Sequence, residues 1–120
     1  KRLLVFLAVL EGLTGLSVLV SPALVTRLLF DAEVAGAGVA ISRLAGISLI
    51  ALAVACWPDG DTRRAFFGML TYNLLATLLL GWVGASGAVG RLLWPAAAAH
   101  GGLSVLLVTT RWKARRGERP

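Results

Sequence analysis

From Ala65 to Ala85 the chain reads AFFGMLTYNLLATLLLGWVGA, 21 residues without one charged side chain. A helix of about 20 apolar residues crosses the roughly 30 Å hydrocarbon core of a bilayer. Apolar and polar residues do not alternate at a period of two, so the stretch is not typical of a membrane-embedded strand. It therefore predicts a transmembrane helix.

Three further apolar runs have a similar length, with Glu11 and Arg43 as their only charged residues. Over the 120 residues, 58% are hydrophobic and 15% are charged, whereas about a quarter of a soluble domain is charged. We predict an all-α integral membrane four-helix bundle, built as a single transmembrane domain over residues 1–120. Its predicted membrane-spanning helices lie at about 3–20, 34–57, 65–85 and 92–110.

Basic residues are divided unequally between the two ends of these helices. With four crossings, both termini share one side with the loop between the second and third helices, and that side carries nine of the twelve Lys and Arg residues. Because such residues keep short loops in the cytoplasm, we predict that both termini are cytoplasmic. Residues 111–120 then form a basic cytoplasmic tail, which orientation and anionic lipid explain without a nucleic-acid partner.

The segment between the first two runs has the pattern of a short amphipathic helix. Ser21 and Pro22 form a helix-start signal, since Ser favours the N-cap and Pro the first helical position. The residues that follow form one apolar face, made of Leu24, Val25, Leu28 and Leu29. We predict a short interfacial helix after the first transmembrane helix, lying on the outer surface of the bilayer.

Small residues repeat every four positions in the second run, at Gly38, Ser42 and Gly46. Helices pack closely in lipid where small residues let their backbones approach. We therefore expect Gly46 to face another helix.

Among the polar side chains within the apolar helices, five are the candidates for a functional site. Their depths follow from a rise of about 1.5 Å per residue, counted from the cytoplasmic end of each helix. Four of them lie at a similar depth, within a slab roughly 6 Å thick and on three helices: Glu11, Tyr72, Asn73 and His100. Arg43 lies to the outer side of this slab, and its long side chain can lean along the helix toward it. Since ionisable residues inside a membrane are usually paired and functional, we predict one intramembrane polar cluster of these five residues.

Several motifs resemble those of a group of small bacterial four-transmembrane-helix proteins that have no assigned activity. The motifs are Arg43-Leu44-Ala45-Gly46, Tyr72-Asn73, and Trp94-Pro95 followed by His100. The similarity covers roughly residues 22–108. It implies a four-helix fold and no particular reaction. We expect the protein to lie in a bacterial inner membrane.

The predicted cluster has one structural and several functional interpretations. It locks the helices through hydrogen bonds from Asn73, His100 or Arg43 to Glu11, or it holds the polar head of a lipid, quinone or other amphiphile. Alternatively, Glu11 titrates and His100 relays protons in a small proton-coupled transporter that works as a homodimer. Redox or enzymatic chemistry is the least favoured. Because His100 is the only histidine, haem ligation by two histidines would need a second subunit.

These considerations favour a binding or accessory protein over an enzyme, with no catalytic residue, cofactor or metal site. We expect membrane lipids as its partners. A second copy of the chain, or a larger membrane complex, is the other partner that the sequence leaves open.

Overall fold

The computed structural model describes residues 1–60, 62–87 and 90–117, which form five α-helices and no strand. The helices are α1 Arg2–Val20, α2 Pro22–Phe30, α3 Ala37–Ala55, α4 Thr62–Ala85 and α5 Leu93–Arg115. All except α2 are long and apolar enough to cross a membrane, which indicates a multi-pass membrane protein. The predicted all-α class and the four long apolar helices are confirmed. Arg119, one of the nine basic residues counted above, lies outside the described residues.

The helix boundaries differ from the predicted ones where charge or glycine intervenes. α3 begins three residues later than predicted, because Gly36 has a φ of +54°, in the left-handed region outside the helical range. α4 begins at Thr62 and α5 continues to Arg115, so both extend past the predicted limits of 65 and 110. Hydropathy marks the apolar part of a helix, whereas Arg and Lys are good helix formers that let it continue. The predicted basic tail therefore starts within α5.

α1 and α3 pack against each other at backbone distance. A Cβ atom at Gly46 would lie 2.6 Å from the backbone oxygen of Gly15, and a Cβ atom at Gly15 would lie 2.6 Å from that of Gly46. Such an approach is open only to glycine, as at other close contacts between helices in lipid. The prediction that Gly46 faces another helix is confirmed, and the partner helix is α1.

α4 and α5 form a second closely packed pair. A Cβ atom at Gly84 would lie 2.7 Å from the Leu93 side chain and 2.8 Å from the ring of Trp94, so a larger residue would have to displace these side chains. Further along the pair, Gly101 faces the Thr77 side chain at an ordinary contact distance of 3.5 Å. The long helices are thus arranged as two pairs, α1 with α3 and α4 with α5.

The two pairs meet at the end of the molecule that carries both chain termini, which we call the termini end. A buried apolar core joins α1 to α4 and α5 there, and it includes Leu4, Leu7, Ala8, Phe66, Met69 and Leu107. The guanidinium of Arg111 covers this core, with its central carbon 4.5 Å from the centre of the Phe66 ring. This is a cation–π contact, and it places a basic side chain of α5 over the apolar layer.

At the opposite end, which we call the far end, α2 connects the two pairs. The carbonyl of Leu28 accepts a hydrogen bond of 2.8 Å from the N–H of Leu92, and that of Leu29 one of 3.0 Å from the N–H of Gly90. Carbonyls in the last turn of a helix have no partner within the helix, so these bonds satisfy them. They also attach α2 to the segment that precedes α5. The short helix predicted after Ser21 is therefore present, with Pro22 at its start.

Between the termini end and the far end the helix pairs separate. α1 and α4 touch far less than the members of either pair do. The Cα trace extends 51 × 28 × 16 Å, so the molecule is broader in one direction across its helices than in the other. Helices in contact lie about 8–10 Å apart, and two pairs side by side account for the broader dimension. Three of the polar residues predicted from the sequence line the space left between the pairs: Glu11, Tyr72 and His100.

Candidate functional site

A cavity of about 490 Å³ lies where the two helix pairs separate. Its volume falls within the range of small-molecule sites, roughly 300–1,000 Å³. All five helices contribute to its walls, which are mainly apolar and include Leu10, Val25, Leu49, Leu75 and Leu79. The cavity therefore offers an apolar environment suited to a hydrocarbon chain.

One end of this cavity is polar, because Glu11, Tyr72 and His100 line it. Glu11 lies one helical turn beyond Leu7, and Tyr72 lies three residues beyond Met69, so both follow directly on the apolar core. We call these three side chains the polar end. The cavity thus combines a polar end next to the core with apolar walls that extend toward α2.

Glu11 is the most unusual member of the polar end. It is only 1% exposed, and neither of its carboxyl oxygens accepts a hydrogen bond of ordinary geometry from the described residues. Burying a polar group without a hydrogen bond costs about 1–3 kcal/mol in proteins, and burying an unpaired charge costs more. A group retained at this cost is a candidate for binding a molecule that supplies the hydrogen bonds missing among the described residues.

Tyr72 links Glu11 to the rest of the polar end. Its hydroxyl interacts with the Glu11 carboxyl across the space between α1 and α4. Its ring meets the imidazole of His100 edge to face, with ring centres 5.6 Å apart and planes at 83°. Edge-to-face packing is a favoured geometry for aromatic rings, so Tyr72 is held by α5 while its hydroxyl points toward α1.

Asn73 and His100 form a hydrogen bond between α4 and α5. The Asn73 Oδ1 and His100 Nδ1 atoms are 2.9 Å apart. The Asn73 amide nitrogen donates to the Met69 carbonyl at 2.8 Å, one turn earlier in the same helix. Asn73 is completely buried, and these bonds use both ends of its amide.

This arrangement determines which imidazole nitrogen carries the proton. Since the carbonyl of Met69 only accepts, the NH₂ group of Asn73 must face it, and Oδ1 must face His100. Oδ1 also only accepts, so Nδ1 of His100 must donate and carry the hydrogen. In the neutral imidazole, Nε2 then has a free lone pair, and none of the described residues forms a hydrogen bond with it.

Arg43 does not join the polar end, contrary to the sequence-based prediction. Its side chain is exposed on α3, and the ion pair found among the described residues joins Arg27 to Glu33 at 3.2 Å. α1 and α3 run antiparallel, and the Cβ of Ala53 packs 3.6 Å from the Cβ position of Gly12, next to Glu11. Arg43 is ten residues from Ala53, which corresponds to about 15 Å along the helix. This separation exceeds what the Arg side chain can span.

The expected hydrogen-bonded lock on Glu11 is also absent from the described part of the chain. Neither Asn73 nor His100 donates to the Glu11 carboxyl, because they bond to each other. The structure therefore brings together Glu11, Tyr72, Asn73 and His100, as their depths predicted. It joins only the last two by a hydrogen bond of ordinary length.

The sequence did not predict that α2 contributes to the site. Val25 and Leu29, from the apolar face predicted to rest on the bilayer, line the cavity. Their apolar pattern was visible, but a face that covers a cavity and a face that contacts lipid have the same composition. Within residues 1–60, 62–87 and 90–117, no three His, Cys, Asp or Glu side chains come together as metal ligands.

No protein-family model, curated protein or solved structure matches this chain.

Proposed function

We propose that this chain is a membrane protein that binds an amphiphilic molecule, with the molecule's polar head at Glu11, Tyr72 and His100. One observation carries the proposal: a carboxyl group that accepts no hydrogen bond of ordinary geometry from the described residues lines a cavity of about 490 Å³ whose other walls are mainly apolar. A ligand with a polar head and an apolar body complements both parts of such a cavity. Binding would supply the Glu11 carboxyl with hydrogen bonds of ordinary geometry that the described residues do not provide.

The proposal includes an arrangement in the membrane. The four long helices cross the inner membrane of a bacterium as a flattened bundle, α2 lies along the outer interface, and both termini are cytoplasmic. Exposed tryptophans at both ends support it, since their rings favour the headgroup region. Trp57 and Trp112 lie near the termini end, and Trp82 and Trp94 near the far end.

The polar end supports binding better than a purely structural lock. A lock needs hydrogen bonds that join the helices, and the Asn73–His100 bond meets that need between α4 and α5. Glu11 adds no comparable bond, although its burial is costly. A structural role therefore accounts for Asn73 but not for Glu11.

Binding is also better supported than proton-coupled transport. A transporter must open its site to each side of the membrane in turn. The packed core that includes Leu4, Leu7, Phe66 and Met69 lies between the polar end and the termini end. Transport through Glu11 is therefore the second candidate function. Ligand binding that depends on a proton gradient would favour it.

Identification of co-purifying molecules tests the proposal. We expect native mass spectrometry of the protein in mild detergent to show an amphiphile bound to the wild type. Glu11→Gln keeps the shape of the side chain but removes its charge, and should lower occupancy by about tenfold, because hydrogen bonds to charged groups are stronger.

The matched control is Glu33→Gln, which removes a carboxylate that is exposed and already paired with Arg27. It should leave occupancy unchanged. Equal occupancy in all three proteins, or no bound amphiphile in the wild type, would contradict the proposed function.

A further inference from the structure

The polar end of the cavity is unusually rich in hydrogen-bond acceptors. Both carboxyl oxygens of Glu11 lack a hydrogen bond of ordinary geometry. The tautomer of His100 adds a third acceptor, because Nδ1 is committed to Asn73 and the lone pair of Nε2 stays free in the neutral ring. Against these acceptors, the side chains of the polar end offer one donor, the Tyr72 hydroxyl, which already interacts with Glu11.

The charges around the cavity also indicate that the ligand's head group donates hydrogen bonds and is positively charged. The described cavity walls contain no Lys or Arg side chain, and Arg43 is too far along α3 to reach Glu11. A carboxylate in an apolar environment is stabilised by a cation close to it. The cation must therefore come with the ligand.

The head groups of common amphiphiles differ in how well they meet these two requirements. A carboxylate or phosphate head would place a second negative charge beside Glu11. A hydroxyl head supplies a single donor and no charge, and a quaternary ammonium supplies charge but no N–H. A primary ammonium supplies a positive charge together with three N–H donors, as the Lys side chain does.

We propose that the ligand is a long-chain primary amine, bound as its ammonium ion with N–H groups directed to Glu11 and to Nε2 of His100. This inference rests on the proposed function and specifies the chemical class of its ligand. The hydrocarbon chain lies between the helix pairs, along Leu80 of α4 and Leu49 of α3 and toward Val25 of α2. These walls carry no charge, so the head group alone determines the selectivity.

A competition between amphiphiles with one tail and different heads tests this inference. The purified wild-type protein is incubated with an equimolar mixture of dodecylamine, dodecanol, dodecyltrimethylammonium and dodecanoate, and adducts are counted by native mass spectrometry. We expect dodecylamine to exceed each of the others by about tenfold, since charge-assisted hydrogen bonds are roughly twice as strong as neutral ones.

Variants identify the source of this preference. Glu11→Gln should reduce the amine preference to less than about threefold, and Glu11→Asp, which keeps the charge, should retain part of it. His100→Phe keeps a ring beside Tyr72 but removes Nε2, and should weaken amine binding without changing dodecyltrimethylammonium binding. Glu33→Gln serves again as the unaffected control.

The outcomes separate this inference from the proposed function. If dodecanol, dodecyltrimethylammonium or dodecanoate binds the wild type as well as dodecylamine does, the amine inference is wrong and amphiphile binding stands. If the amine preference is unchanged in Glu11→Gln, the inference is also wrong. If none of the four binds, the proposed function itself fails.

Discussion

Asn73 joins α4 to α5, and the hydrogen bonds of its side-chain amide determine which way the amide faces. Its amide donates to the Met69 carbonyl and accepts from the imidazole of His100, and no part of it reaches solvent. Because a buried amide without partners costs about 1–3 kcal/mol, the two side chains should depend on each other for stability.

A double-mutant cycle measures this dependence. Asn73→Ala and His100→Ala should each lower the free energy of unfolding in detergent. The double variant should lose less than the sum, with a coupling of about 1 kcal/mol, which is typical of hydrogen bonds between membrane helices. Thr109→Ala is the control, since Thr109 is exposed and bonds only within its own helix. Strictly additive losses would show that Asn73 and His100 do not stabilise each other.

The residue-level prediction of the site succeeded where it depended on depth along a helix. A helix rises by a nearly constant amount per residue, so counting placed Glu11, Tyr72, Asn73 and His100 at one level. It could not show which donor faces which acceptor, because that depends on how the helices are rotated and paired. Arg43 was assigned to the cluster for this reason, although the register of α1 against α3 places it about 15 Å away along the helix axis.

At the level of the helices, glycines allow the backbones to approach most closely at two contacts. Gly15 and Gly46 bring α1 and α3 to backbone distance, and Gly90 packs against the backbone of Leu28 and Leu29. A methyl group at any of these positions would have to displace backbone, which cannot move without shifting a helix. Hydropathy predicted which segments are helical, but pairing depends on contacts between residues distant in sequence.

Gly46→Ala should destabilise the α1–α3 pair. The new Cβ would lie 2.6 Å from the Gly15 oxygen and 2.7 Å from the Leu19 nitrogen, so we expect a loss of about 1–3 kcal/mol in unfolding free energy. Gly102→Ala is the matched control, because nothing lies within 4 Å of its Cβ position. It should leave stability unchanged or raise it slightly, since Ala is the better helix former. Equal melting temperatures for the two variants would contradict this packing.

Gly90→Ala should detach α2 from the segment before α5. The added methyl group would overlap the backbone of Leu28 and Leu29 and break the hydrogen bonds that their carbonyls accept. We expect faster hydrogen–deuterium exchange over residues 22–30, with little change in α1. Gly81→Ala, whose Cβ position is open, provides the control. Unchanged exchange in α2 would mean that these contacts do not hold it.

For the whole molecule, the distribution of basic residues predicts the orientation of the two ends. Exposed basic side chains, among them Lys1, Lys113 and Arg116, lie at the termini end, whereas Ser86 is exposed at the far end. Positively charged segments remain in the cytoplasm during insertion. We therefore expect the far end to face away from the cytoplasm.

Cysteine labelling in intact cells tests this orientation. The background is Cys56→Ala, which removes the one native cysteine, itself buried. A membrane-impermeant maleimide should label Ser86→Cys in intact cells and should label Asp59→Cys only after the cells are permeabilised. Both positions are exposed in the structure, so accessibility within the protein does not distinguish them. The reverse pattern would overturn the proposed topology.

The central claim is that an amphiphile occupies the space between the two helix pairs. Photolabelling tests it most directly, with two probes that carry a diazirine in the alkyl chain, one headed by an amine and one by an alcohol. For the head that binds, the account predicts adducts at cavity residues that are not exposed on the outer surface, such as Leu49 and Leu80. These adducts should disappear with excess unlabelled amphiphile and in Glu11→Gln. Adducts spread over exposed residues of α3 such as Ile41 and Ile47, equal in wild type and Glu11→Gln, would contradict it.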